Sequence, residues 1–95
     1  MKFQIDINLD DEEECVAFLR THMIHPGPSG QRLSNKLGFK GRGAGLAAKA
    51  LWNYAMNRQV AFTTRREGRI TTALQYEAIC DRIYRDGIRN KIECW

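Results

Sequence analysis

"VAFTTRREGRITTAL", residues 60–74, decides how this chain folds. Val60, Thr63, Thr64, Ile70, Thr71 and Thr72 are β-branched and flank the turn-forming "REG", which suits a β-hairpin. The apolar residues on either side argue otherwise. Upstream, Ala47, Leu51, Tyr54, Ala55, Ala61 and Phe62 recur at steps of three and four. Downstream, Ile70, Ala73, Tyr76, Cys80, Ile83 and Tyr84 do the same. That is the period of amphipathic helices, sustained far beyond hairpin strands. The reading is therefore two helices meeting at "RREG", residues 65–68, with Gly68 as the breaker: an αα-hairpin. Gly87 is expected to end the second helix.

Working back from the hairpin, "KLGFKGRGAGLAAKALW" (36–52) puts four glycines and four lysines or arginines before or just inside a helix that begins near Ala44. "QRLSNKLG" (31–38) reads as a short helix ended by Gly38. "IHPGPSG" (24–30) cannot continue a helix, with two prolines and two glycines in seven residues. "KFQIDINL" (2–9) alternates, with Phe3, Ile5, Ile7 and Leu9 on one face of a half-buried strand. "DDEEECVAFLRTHM" (10–23) reads as a helix. Asp10 caps it, Glu13 completes a capping box, and acids crowd the first turn where the helix dipole favours them. Val16, Leu19 and Met23 form its apolar stripe. The tail "NKIECW" alternates weakly. It is one candidate partner for the lone N-terminal strand, and a second chain is the other. The expected fold is mainly α: one small domain over 1–95, a short N-terminal β-strand, three to four helices and a long C-terminal αα-hairpin.

Of the 95 residues, 43% are hydrophobic and 27% charged, ordinary values for a globular chain. No apolar run nears the ~20 residues that span a bilayer. The N-terminus lacks the apolar core of a signal peptide. No membrane association and a cytoplasmic location are expected. Cys15, Cys80 and Cys94 are odd in number and read as free thiols of a reducing compartment. Charge is uneven. Residues 1–30 carry two cations against six acids, a net −4, and residues 31–95 carry thirteen against five, a net +8. A basic body with an acidic head suits an anionic partner or head-to-body self-association.

The motifs exclude more than they assign. Gly38 and Gly43 have the gap of a phosphate-binding loop, but Ala44 and Gly45 stand where its lysine and hydroxyl belong. Leu33, Ser34, Leu37 and Gly38 partly match a helix-turn-helix, yet the turn holds too many glycines and the next helix is too long and alanine-rich for a DNA reader. The simpler physics of a glycine-led helix start remains, with amides and cations facing an anion. The candidate anion or nucleic-acid contacts are Lys40, Arg42, Gly43 and Lys49 in and after the loop 38–45, and Arg58, Arg65, Arg66 and Arg69 further on. Cys15, His22 and His25 match no common zinc spacing. Glu77 and Asp81 share a helix face but alternate with Arg82 and Arg85 as a solvated surface. No nucleophile stands near a base, so the chain is read as a non-enzyme without metal or cofactor. "EGRITTALQYEAI" has the look of one tetratricopeptide helix, but one unit cannot form an array.

At "YAMNR…RREGRITTALQYEAICDRIY…W" the chain resembles uncharacterised small proteins of lambdoid phages and prophages. The resemblance rests on Arg65, Gly68, Ala73, Tyr76, Glu77, Ile79, Cys80, Asp81, Ile83, Tyr84 and Trp95, and covers the C-terminal half. The proline-containing link expected before the final tryptophan is missing. The resemblance implies a phage accessory protein in the host cytoplasm that binds a host protein, inhibiting or modulating it, with a defence component among the targets. The alternative reading is a nucleic-acid or nucleotide binder using the basic loop and nearby arginines. A homodimer is also expected, from the lone strand and the thin core.

Overall fold

Residues 60–74 are helical on both sides of a tight tip. The structure is a computed structural model that describes residues 2–22 and 30–94. In chain order the elements are β1 (Phe3–Ile5), α1 (Glu12–Thr21), α2 (Gln31–Leu37), α3 (Ala44–Arg66), α4 (Ile70–Ile83), a π-helical turn (Tyr84–Ile88) and β2 (Ile92–Cys94). The β-hairpin alternative fails because the threonines do not need a strand. Thr64 is buried and its hydroxyl donates to the carbonyls of Val60 and Ala61 one turn back, which satisfies it within the helix. The tip closes as a glycine C-cap. Gly68 adopts φ +79°, its N–H donates to the Arg65 carbonyl, and the Arg69 N–H donates to that of Thr64.

α3 is the spine. Its first half presents Ala44, Ala47, Ala48, Leu51 and Ala55, all buried, to α1 and α2. Small side chains there let three helices meet closely, and Leu33, Leu51 and Cys15 reach full burial. Complete burial of a leucine side chain contributes about 2 kcal/mol. The second half of α3 packs along α4, which buries Ala73 and Cys80.

Several local expectations shift. The cap of α1 is Asp11, whose carboxylate accepts from the N–H groups of Glu13 and Glu14. Asp10 lies outside the helix. Glu14 reaches back further than in a capping box and accepts from the Asn8 N–H. α1 buries Cys15 and Phe18, while Val16 and Leu19 are half-buried. The buried stripe lies one residue earlier than the expected one, and Met23 lies outside the described residues. Gly87 does not end the last helix. The chain passes through it in the π-helical turn, closed by Arg89 N–H on the Tyr84 carbonyl at 2.7 Å. A Cβ at Gly87 would stand 2.7 Å from the Ala50 Cβ, so the glycine serves close helix packing. β1 finds its partner inside the chain: it pairs in parallel with β2, Phe3 opposite Ile92, Gln4 opposite Glu93 and Ile5 opposite Cys94. The strand therefore makes no demand for a second copy.

Candidate functional site

Seven of the eight candidate contact residues divide between the two ends of α3, and Arg58 lies midway along it. Lys40, Arg42 and Gly43 lie in the loop before it, and Lys49 lies just inside it, half-buried. Arg65, Arg66 and Arg69 lie at the hairpin tip. Gly43 and Arg66 stand twenty-three residues apart along the helix, about 35 Å at 1.5 Å per residue. The two groups do not converge on one surface.

At the tip the arginines have partners. Arg65 forms a bidentate pair with Glu77, its Nε donating at 3.0 Å and its Nη2 at 2.7 Å. Arg66 pairs with Glu12 of α1, and Arg69 with Glu67 at 3.3 Å. Arg58, midway along α3, reaches Asp10 at 3.7 Å and lies over the Phe62 ring at 4.7 Å. Its side chain is only 21% exposed, and its Nε is buried with no hydrogen-bond partner among the described residues. Arg58 is an internal tether. Acidic head and basic body thus meet within one chain, through Asp10–Arg58 and Glu12–Arg66.

At the loop, Lys40 and Arg42 are exposed and form no ion pair among the described residues. They line a groove of about 680 Å³ with Lys2, Phe3 and Gln4 of the N-terminal strand segment and Glu93 of β2. Phe3 is half-buried, its ring stacked on that of buried Phe39 at 5.0 Å and 23°. Lys2, Phe3 and Gln4 escaped the sequence reading, which saw Phe3 only as strand interior.

A second surface runs along one side of the hairpin. Leu46 and Ile83 line one shallow groove, with Lys49, Asn53, Arg82 and Lys91 around it. Ile79 stands one turn from Ile83 on the same helix face. The antiparallel packing that sets Cys80 against the Tyr54 carbonyl brings Met56 level with Ile79. Leu46 is 60% exposed, and Met56 and Ile79 are 37% exposed each. Their departure from the buried stripe is a legible signal, since Leu46 and Met56 sit off the register of Ala47, Leu51 and Tyr54.

The opposite side holds a cleft of about 590 Å³ lined by Asn8, Asp10, Tyr54, Asp81 and Tyr84. Burial pushes the Tyr54 hydroxyl up to about 12, against the lowering effect of Arg58. Burial likewise raises the thiols of Cys15 and Cys80 to about 11, again opposed by Arg58. These are protonated, inert groups, and nucleophilic chemistry needs the reverse shift. Cys15 donates to the Leu9 carbonyl at 3.4 Å. Among the described residues no three His, Cys, Asp or Glu side chains converge as metal ligands, and His25 lies outside them. No helix among the described residues is long and apolar enough to cross a membrane. Glu77 is engaged by Arg65, and Asp81 faces the cleft.

No protein-family model matches the chain, and no curated protein or solved structure matches it either.

Proposed function

We propose that the chain is a non-catalytic accessory protein of the phage type, which binds a host protein and blocks or modulates it, a defence component being one candidate target. The observation that carries this reading is the exposed apolar strip of Leu46 and Ile83, continued by Ile79 one turn along α4, on one side of the α3–α4 hairpin and bordered by Lys49, Arg82 and Lys91. α4 packs chiefly on α3 and the π-helical turn, so this side stays open. Among the described residues the one acid lining the groove is Asp86, which faces Arg85 at 3.8 Å. A partner that fits brings an apolar ridge flanked by acidic residues, in the manner of a helix-in-groove contact with charge complementarity at its rim. The resemblance to lambdoid accessory proteins supports the same class: Ile79 and Ile83 belong both to the shared pattern and to the strip.

The test is co-purification from a bacterial lysate with the full chain as bait. A stoichiometric protein should be retained, and Leu46→Glu or Ile79→Glu should abolish retention with the far-UV circular dichroism unchanged. Leu74→Glu is the control. Leu74 is 55% exposed on α4 but lies about 140° around the helix from Ile79. Failure to retain any protein, or equal loss with Leu74→Glu, overturns the reading.

A further inference from the structure

We propose that the groove between β1 and the 38–42 loop is a binding site for single-stranded nucleic acid, with phosphates on Lys2, Lys40 and Arg42 and a base against Phe3. It lies apart from the hairpin strip, with which it shares no lining residue, and does not depend on the protein-binding reading.

Three observations carry it. First, the three cations are exposed and form no ion pair among the described residues, whereas the tip arginines are consumed by Glu12, Glu67 and Glu77. Exposed cations without carboxylate partners hold counter-ions that a phosphate backbone releases on binding. Second, the groove has an aromatic floor. Phe3 is braced by the stacked ring of Phe39, itself 5% exposed, so the platform is rigid and has no ordering cost when a base meets it. Third, the loop backbone is open. A Cβ at Gly38 or Gly41 would meet nothing within 4 Å, so a sugar-phosphate chain approaches these peptides without obstruction.

The chemistry favours a single strand over the other polyanions. A duplex hides its base faces and leaves Phe3 unused. An acidic peptide would use the cations but gain nothing from the ring. Glu93 opposes phosphate but sits across from Gln4 in the strand register. Both line the groove, where they offer an acceptor and an amide to a bound nucleotide.

Fluorescence anisotropy with the full chain and labelled ten-nucleotide oligodeoxythymidine and oligouridine tests the proposal. Three phosphate contacts predict a log–log salt slope of about −2, so affinity falls about 20-fold between 50 and 200 mM salt. Lys40→Ala with Arg42→Ala should cut the slope to about −0.7. Phe3→Leu should weaken binding about tenfold with the slope kept. Because Phe3 also packs in the fold, the exposed Gln4→Glu is a second variant and should weaken binding severalfold. Arg65→Ala with Arg69→Ala should change nothing. The proposal falls if neither oligonucleotide binds at tens of micromolar protein in 50 mM salt. It also falls if Gln4→Glu binds as the parent does, or if a duplex or a ten-residue polyglutamate binds as tightly.

Discussion

At the far end of α3, Arg65 and Arg66 are each held by a carboxylate from elsewhere in the chain. At its near end, Lys40 and Arg42 hold none. The residue types are alike and the local charge has the same sign, yet one end is closed and the other open. The difference lies in the path of the acidic head. Residues 10–14 cross α3 beyond its midpoint, where Asp10 meets Arg58 and Glu12 meets Arg66. Asp11 and Glu14 are occupied at the start of α1. Of the positive charge left over, Lys2, Lys40 and Arg42 lie around the loop and β1, while Arg82 and Lys91 border the hairpin strip. Net charge by domain therefore says little about where a partner docks, and the intramolecular pairing says more.

The glycines draw the same contrast, and they give the largest expected effect. Gly30, at φ +68°, stands where a Cβ would lie 1.9 Å from the Gly45 carbonyl oxygen, so α2 and α3 cross backbone to backbone. Gly68, at φ +79°, has open space around it. Gly30→Ala must accept both the left-handed strain and a forced separation of the two helices, at about 4 kcal/mol. Gly68→Ala accepts only the strain, about 1 kcal/mol. Urea unfolding of the two variants measures the gap. Equal losses would show that the near end of α3 is no more tightly packed than the tip.

How much of this was legible follows from the same distinction. The helical hairpin, the start of α3 at Ala44 and the end of α2 at Gly38 could be read because period and punctuation are local properties. The pairing of β1 with β2 was one of two options, since alternation fixes a face but not a partner. The exposed site was read as a set of cations, and cations 16 to 29 residues apart on one helix and its loops look contiguous only in one dimension. What assigns Arg58, Arg65 and Arg66 to internal use is contact with Asp10, Glu12 and Glu77, and spacing along the chain does not encode it. Phe3 was hidden for the opposite reason: its pattern announced a buried strand residue, and half-burial beside the loop is a tertiary outcome.

The span between the two ends supplies the next effect. Cys15 and Cys80 are buried where the acidic head crosses α3, and both thiols are raised from 9.0 to about 11. The unfolded chain releases these protons near pH 9, while the folded chain keeps them to about 11. Native protein thus binds more protons across that window, and stability falls as pH rises through it. The two thiols together should cost about 4 kcal/mol between pH 8.5 and 11, and Tyr54, raised from 10.0 to about 12, deepens the loss above pH 10. Thermal melts along that pH series check the sign, and Cys15→Ala with Cys80→Ala should flatten the curve. A stability that holds to pH 11 in the parent would mean that water reaches both thiols.

The smallest effect addresses the ion pairs themselves. Arg65 and Arg66 are about half exposed, and such pairs contribute about 0.5 kcal/mol each, less in salt. Arg65→Ala with Arg66→Ala should therefore lower stability by about 1 kcal/mol in 20 mM salt and by much less in 500 mM. Lys40→Ala with Arg42→Ala should leave stability unchanged at both, because these cations have no folded-state partner to lose. Relief of repulsion among Lys2, Lys40 and Arg42 even favours a slight gain at low salt. Urea unfolding of both double variants at the two salt concentrations separates the cases. A loss at the loop equal to that at the tip would mean that Lys40 and Arg42 are also spent inside the molecule, and the open end of α3 would have nothing to offer a ligand.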